Sequence, residues 1–273
     1  PIVRVDPLFI NFADRTQIKQ LSLVNFTTPE DETKLNNGFL RECSGLNLLF
    51  INKVTNITEI GNDFLRYCTE LQSFDFRCFP KLTKIGDDFC RQCESLAYAD
   101  YDDTLSGTST LSITDIGDDF FLECESLRQI DFSFIKNVEN IGESFLDSCS
   151  LLTSIDFGNG FDHVKAIKGL FLYGCWALYN VNYSGSSFRN VETIGPWFLR
   201  GCVILNSIDL SPLVSLKEIG NGFLSDCYFL ENVYWPETNN IEIIDTDFLK
   251  EDMYSLTNVD LSSFSKLTSI GTG

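Results

Sequence analysis

The run Ile60-Gly61-Asn62-Asp63-Phe64-Leu65-Arg66-Tyr67-Cys68 decides the architecture, because it recurs along the chain. Its skeleton is an apolar residue, then Gly, then Phe three residues after the Gly and Cys four after the Phe. Further copies stand at Ile85, Gly86, Phe89, Cys93, at Ile116, Gly117, Phe120, Cys124, and at Ile141, Gly142, Phe145, Cys149. Two more are Ile194, Gly195, Phe198, Cys202 and Ile219, Gly220, Phe223, Cys227. Three copies bend the pattern: Leu35 with Asn36, Phe39 and Cys43; Ile167 with Lys168, Phe171 and Cys175; Ile244 with Asp245 and Phe248, where an extra residue brings Met253 near the Cys position. Ile270-Gly271 opens a last copy that the chain end cuts off. The anchors lie 25 residues apart in most steps and 31 apart between Ile85 and Ile116. Repetition at about 20–29 residues with this density of apolar positions falls in the range of leucine-rich solenoids, whose units bury their apolar faces only against one another.

Outward from the anchor, each segment has a physical task. Three residues after each Cys, or close to it, comes a Leu (Leu46, Leu71, Leu96, Leu127, Leu152, Leu178, Leu205, Leu230), followed by an alternating stretch such as Leu127-Arg128-Gln129-Ile130-Asp131-Phe132. Alternation of apolar and polar residues predicts a strand with one buried face, and stacked copies predict a parallel sheet. The Gly of the anchor suits a backbone position of positive φ, with Asn36 and Asp245 as the next most tolerant residues. Lys168 does not suit it, so that coil is expected to be distorted. The polar residue after the Gly (Asn62, Asp87, Asp118, Asn221) suits the N-cap of a short helix carrying Phe, Leu and Cys, with Phe and Cys turned to the core. The expected fold is therefore an α/β solenoid: a right-handed superhelix with a concave parallel β-sheet and short helices or turns elsewhere.

The pattern resembles the BspA-like leucine-rich repeats of bacterial and protist surface antigens, whose units read like Ile-Gly, Ala-Phe, Cys, Leu and then a short strand. The resemblance covers about Leu35 to Gly271. Two departures stand out. The residue before Phe is polar or small here instead of consistently Ala, and the Pro that often follows the strand survives most clearly at Pro236. The resemblance implies recognition and adhesion at cell surfaces, and it names a class of repeat, not an activity.

Residues 1–34 hold one strand-like stretch, Ile18 to Leu23, without the Phe and Cys anchors, which suits a degenerate first repeat or cap. Residues 35–273 are read as about nine coils, roughly 45 Å long at about 5 Å per coil. The chain stops inside a repeat and begins without Met, so the natural protein is expected to continue past Gly273.

Composition narrows the function. The formal net charge is -19, and phosphate backbones are gripped by clustered Lys and Arg, so nucleic acid is disfavoured as a partner. A basic protein surface fits such a charge, and so does plain solubility. No run of 18 apolar residues occurs, so no membrane insertion is expected of this segment. Eight of ten Cys share one repeat position and read as a buried ladder of small thiols. Cys90 with Cys93 forms a CxxC that no second CxxC or His cluster completes, so no metal is assigned. Cys78, after a strand, is read as exposed or paired with a neighbour; its redox state and that of Cys90 stay open. The single His, His163, has no nucleophile motif near it and no phosphate loop exists, so no catalytic residue, no cofactor and no enzyme activity are assigned.

The strands carry the candidate binding face. Their outward position reads Asp75, Asp100, Asp131, Asp156, Asn182, Asp209, Tyr234 and Asp260, with Phe50 in the first coil. Unit charges about 5 Å apart repel by roughly 1 kcal/mol even in water, so a cation, a basic partner or bonds to local backbone must offset the row. Tyr98, Tyr179 and Tyr234 lie on or beside the same strands as aromatic anchors, although scattered surface aromatics are also ordinary. Two insertions, Asp102 to Thr110 and Ser184 to Asn190, follow strands and should emerge from one rim, either as binding loops or as tolerated length variation. Acceptor sequons begin at Asn25, Asn56 and Asn182. The reading is a non-catalytic scaffold that binds a protein partner through the concave acidic face and rim loops, with Asp75, Asp100, Asp131, Asp156, Asp209, Tyr98, Tyr179 and Tyr234 as its contacts. The alternative is a structural module that self-assembles through open coil ends. The compartment is open, with the cell surface favoured through the resemblance.

Overall fold

The computed structural model describes residues 15–23, 33–51, 54–100, 110–183, 187–250, 253–257 and 259–272, with the side chains of Arg77 and Asp100 outside that set. Coil after coil contributes two short strands. The first comes from the alternating stretch: Ser73–Asp75, Tyr98–Asp100, Gln129–Asp131, Ser154–Asp156 and Asn180–Asn182 form one five-stranded parallel sheet. Gln20–Leu23 pairs in parallel with Leu48–Ile51 before it, and Ser207–Asp209 with Asn232–Tyr234 after it. Apolar positions turn inward in register, Ile130 against Ile155 and Ile155 against Val181.

The second strand is two residues long and ends on the anchor, as in Glu59–Ile60 and Lys84–Ile85. These pairs form a second ladder in which Leu35, Ile60, Ile85, Ile116 and Ile141 stack in register, and then Ile167, Ile194, Ile219, Ile244 and Ile270.

This second ladder corrects the α/β expectation. Among the described residues the helical turns are 3-10 turns at Arg15–Gln17 and Phe76–Cys78, and the segment from Gly to Cys forms no helix. Strands in a ladder lie about 5 Å apart, whereas a helix with its side chains is about 10 Å across. A ladder on each side of the coil leaves no room for the coils to fan apart around helices. The chain instead alternates: Asp63, Leu65 and Tyr67 have φ of 60°, 57° and 63°, and the same three positions recur in the next coil at Asp88, Cys90 and Gln92. The N–H groups that a helix would use internally go to neighbouring coils. That of Asp63 donates to the Asp87 carbonyl (2.8 Å), that of Leu65 to Phe39 (3.1 Å) and that of Tyr67 to Arg91 (2.9 Å). Left-handed residues cost about 1–2 kcal/mol each without glycine, and the inter-coil bonds offset that cost.

The presumed N-caps act differently too. In three of them the side-chain oxygen accepts the N–H of the same position one coil on: Asp87 N–H to Asn62 Oδ1 (3.1 Å), Asp118 N–H to Asp87 Oδ1 (3.0 Å), Glu143 N–H to Asp118 Oδ1 (2.8 Å), whereas Asn221 Nδ2 donates to Thr246 Oγ1. The anchor glycines are also needed for a reason other than positive φ, which none of them adopts. A Cβ on Gly142 would sit 2.2 Å from the Gly117 carbonyl oxygen, and one on Gly117 2.5 Å from Asp87. Close approach of stacked backbones therefore sets the residue type. Where Lys168 replaces it, the anchor ladder divides into two sheets, ending at Asn140–Ile141 and resuming at Ala166–Ile167. The expected distortion is present as this break in the ladder. Asp245 is accommodated with its ladder bond to the Ile219 carbonyl intact (2.9 Å).

The core is two columns. Rings of Phe39, Phe64, Phe89, Phe120 and Phe145 stack at 5.2–6.0 Å, continuing through Phe171, Phe198, Phe223 and Phe248 at 5.2–5.6 Å. Beside them the thiols form a bonded ladder. Cys68 donates to the Leu40 carbonyl (3.1 Å), Cys93 to Leu65 (3.2 Å), Cys149 to Phe121 (3.2 Å) and Cys227 to Leu199 (3.2 Å). All ten cysteines are free and buried, and burial pushes the Cys124, Cys175 and Cys202 thiols well above the usual range. Cys78 is thus neither exposed nor paired, because Phe76–Cys78 turns it inward after its strand.

Candidate functional site

The outward face of the longer strands holds the predicted row, and the register places most of it together. Asp75 is the partner of Asp100, Asp131 of Asp156, Asp156 of Asn182, and Asp209 of Tyr234. The row is interrupted between Asn182 and Asp209, where two sheets meet without pairing. The side chain of Asp100 lies outside the described residues, as do the sequon at Asn25, nearly all of the Asp102 to Thr110 insertion, and Ser184 to Ser186 of the second.

The carboxylates have a local task. Asp131 Oδ1 accepts the Ser133 N–H (2.7 Å), Asp156 Oδ1 that of Gly158 (2.8 Å), Asp209 Oδ1 that of Ser211 (2.9 Å) and Asp260 Oδ1 that of Ser262 (2.8 Å). Asp131, Asp156 and Asp209 each end their strand in a tight side-chain turn, and Asp260 makes the same turn outside the described strands, which answers the repulsion within the row. At Asp260 these bonds from Ser262 hold the carboxyl below the usual range. The second oxygen of each carboxylate takes no part in this bond.

Tyr98 opens its strand, Tyr234 closes its own and Tyr179 stands one residue before Asn180–Asn182. Tyr98, Tyr179 and Tyr234 are exposed by 53%, 56% and 54%, and Tyr98 and Tyr234 stand on strands whose backbone is fixed by the ladder. His163 lies on another side, exposed and 3.7 Å from Asp162. It borders an open cleft of about 470 Å³ at the break in the anchor ladder, with Glu139, Asn140, Lys165 and Lys168 around it. No serine, threonine or cysteine among the described residues lines this cleft. Among the described residues no group of three or more His, Cys, Asp or Glu could hold a metal, and no helix is long and apolar enough to cross a membrane.

A model of the BspA type leucine rich repeat region matches the chain in six copies over residues 16–112, 107–188 and 161–273. The chain belongs to this family. BspA-type repeats occur generally in interaction or surface proteins and generally without enzyme activity. A leucine-rich repeat protein of T. pallidum is similar in fold, with a TM-score of 0.47 and 20% identity over 66% of this chain and 77% of its own. Another, from Eubacterium ventriosum, gives a TM-score of 0.39 and 17% identity over 95% of this chain and 82% of its own. Comparison with curated proteins yields no match.

Charge on the turn side of these BspA-type coils was not anticipated. Arg41, Asp63, Arg66, Asp88, Arg91 and Asp119 alternate in a ladder of ion pairs at 2.7–3.4 Å across the first four coils. One coil further on, at the position of those arginines, stands Asp147, only 8% exposed. Burial, with Glu123 and Asp119 adding to it against the bond from Ser148, raises its carboxyl to about 6 from the usual 3.8. A folded-state value above the unfolded one means stability is fullest below about pH 4 and is lost as pH rises through about 6. Asp147→Asn is expected to raise stability at pH 7 by about 1–3 kcal/mol and to flatten the difference between pH 4 and 7, as read by urea unfolding at several pH values.

Proposed function

We propose that the chain is a non-catalytic recognition protein that binds a protein partner through the outward face of its longer strands. The observation that carries this reading is the set of three half-exposed tyrosines, Tyr98, Tyr179 and Tyr234, beside strand-end carboxylates on a backbone that is already ordered. Aromatic side chains next to charge dominate binding energy at interfaces, and a rigid frame loses little entropy on binding. Where one oxygen is held by its own turn, as at Asp131, Asp156 and Asp209, the other can meet a donor. A net charge of -19 favours a partner with a basic surface, and the family reading adds a place at a cell surface.

The test compares partner capture by the native chain and by a form with Asn at Asp75, Asp100, Asp131 and Asp156. Asn keeps an oxygen for the turn bond, and circular dichroism checks that both forms are folded. Loss of a captured protein from the substituted form, with native binding that weakens as salt rises, is the expected result. Equal capture by both forms would remove the acid row from the interface.

A further inference from the structure

Two residues of each coil, the first and second after the Cys, form a rim between the turn segment and the sheet. In three early coils they carry a glutamate each: Glu70, Glu94 and Glu125. From the fifth coil onward the same positions carry no charge and present Leu151, Trp176, Ile204, Phe229 and Tyr254, exposed by 42%, 62%, 44%, 54% and 74%. Backbone bonds tie several of these coils along the rim: Leu151 N–H donates to the Glu125 carbonyl, Ala177 to Ser150 and Phe229 to Val203, all at 3.2 Å. The Tyr228 and Tyr254 rings lie 5.8 Å apart. The result is a row of exposed apolar side chains on five successive coils.

We infer that this ridge is a self-association surface, on which a second copy of the chain packs antiparallel about a two-fold axis through Ile204. Two arguments select this occupant. Side chains of roughly 150–250 Å² at these exposures leave on the order of 500 Å² of apolar surface per copy. Two copies then bury about 1,000 Å² or somewhat more, the lower bound of a specific interface. The second argument is charge. Copies of net charge -19 repel, so contact is favoured where carboxylates are absent. The antiparallel arrangement sets Trp176 of one copy against Phe229 of the other and Leu151 against Tyr254. It also sends the two glutamate rails to opposite ends, whereas a parallel arrangement would stack them. Such an isologous contact closes at the dimer. It leaves the strand-end carboxylates free and is independent of the partner-binding reading.

Sedimentation equilibrium of the whole chain tests it. A reversible dimer is expected whose association tightens as salt rises, because screening removes the repulsion between copies. Ile204→Arg places like charges face to face on the axis and should weaken the dimer about 30-fold or more, as should Trp176→Ser with Phe229→Ser. Unchanged thermal unfolding of the Ile204→Arg monomer would show that the fold is retained. Because the native thiols are buried, Ile204→Cys supplies an exposed thiol that should cross-link copies on mild oxidation. A chain that stays monomeric at every concentration and salt overturns the inference and leaves the ridge to a foreign protein. So does a dimer that Ile204→Arg leaves intact.

Discussion

Phe145→Ala is expected to lower stability by about 3–5 kcal/mol, read as a fall in the urea midpoint. Phe145 is fully buried and stacks between Phe120 at 5.3 Å and Phe171 at 5.2 Å, with Phe132 tilted against it at 5.7 Å. The truncated side chain leaves a cavity that the ladders prevent from collapsing, since the coils on each side are held by backbone bonds along the longer strands and, toward Phe120, along the anchor strands as well. A solenoid's stability is carried by nearest-neighbour interfaces, so a defect at the middle coil weakens two of them. The transition should broaden as the two halves begin to unfold separately. A loss below about 1 kcal/mol would mean that the Phe column is not the core of the stack.

Gly142→Ala is the second large effect, at about 2–3 kcal/mol, although it removes no contact. The added methyl would meet the Gly117 carbonyl oxygen at 2.2 Å and the Asp118 nitrogen at 2.3 Å, which are backbone atoms that cannot rotate away. Relief requires the coils to separate, with loss of the bonds from Gly142 N–H to the Ile116 carbonyl and from Glu143 N–H to Asp118 Oδ1. Amide exchange at Gly142 and Glu143 should accelerate with the loss of stability. The anchor ladder divides at Lys168, where the Gly is replaced, while Asp245 in the same position keeps its bond to the Ile219 carbonyl.

The parts of this architecture that were legible in the sequence are those set by periodicity. The anchor, Phe and Cys columns and the alternating strands follow from residue spacing, and each stacks in register. Helix against turn was not legible. Phe and Cys four residues apart share one side both in a helix and in the chain of left-handed turns found here, and only the second ladder decides between them. Gly at the anchor is equally ambiguous, since positive φ and close backbone approach select the same residue. The acid row was legible as a row, while its turn bonds carried a signal that went unused. Asp131, Asp156, Asp209 and Asp260 are each followed two residues on by Ser or Gly, the composition of a side-chain turn. The ridge at Leu151 to Tyr254 was hidden for a different reason, because isolated surface apolar residues are common and only stacking brings them into a row.

Oxidative footprinting of the native chain with a captured partner bound tests the central claim most directly. Tyr98, Tyr179 and Tyr234 start from nearly equal exposure, so their protection is directly comparable. The account predicts that all or most of the three lose reactivity in the complex while Trp176 and Tyr254 keep the reactivity they have in the free chain. Unchanged reactivity of the three tyrosines, with protection elsewhere on the coils, would contradict it.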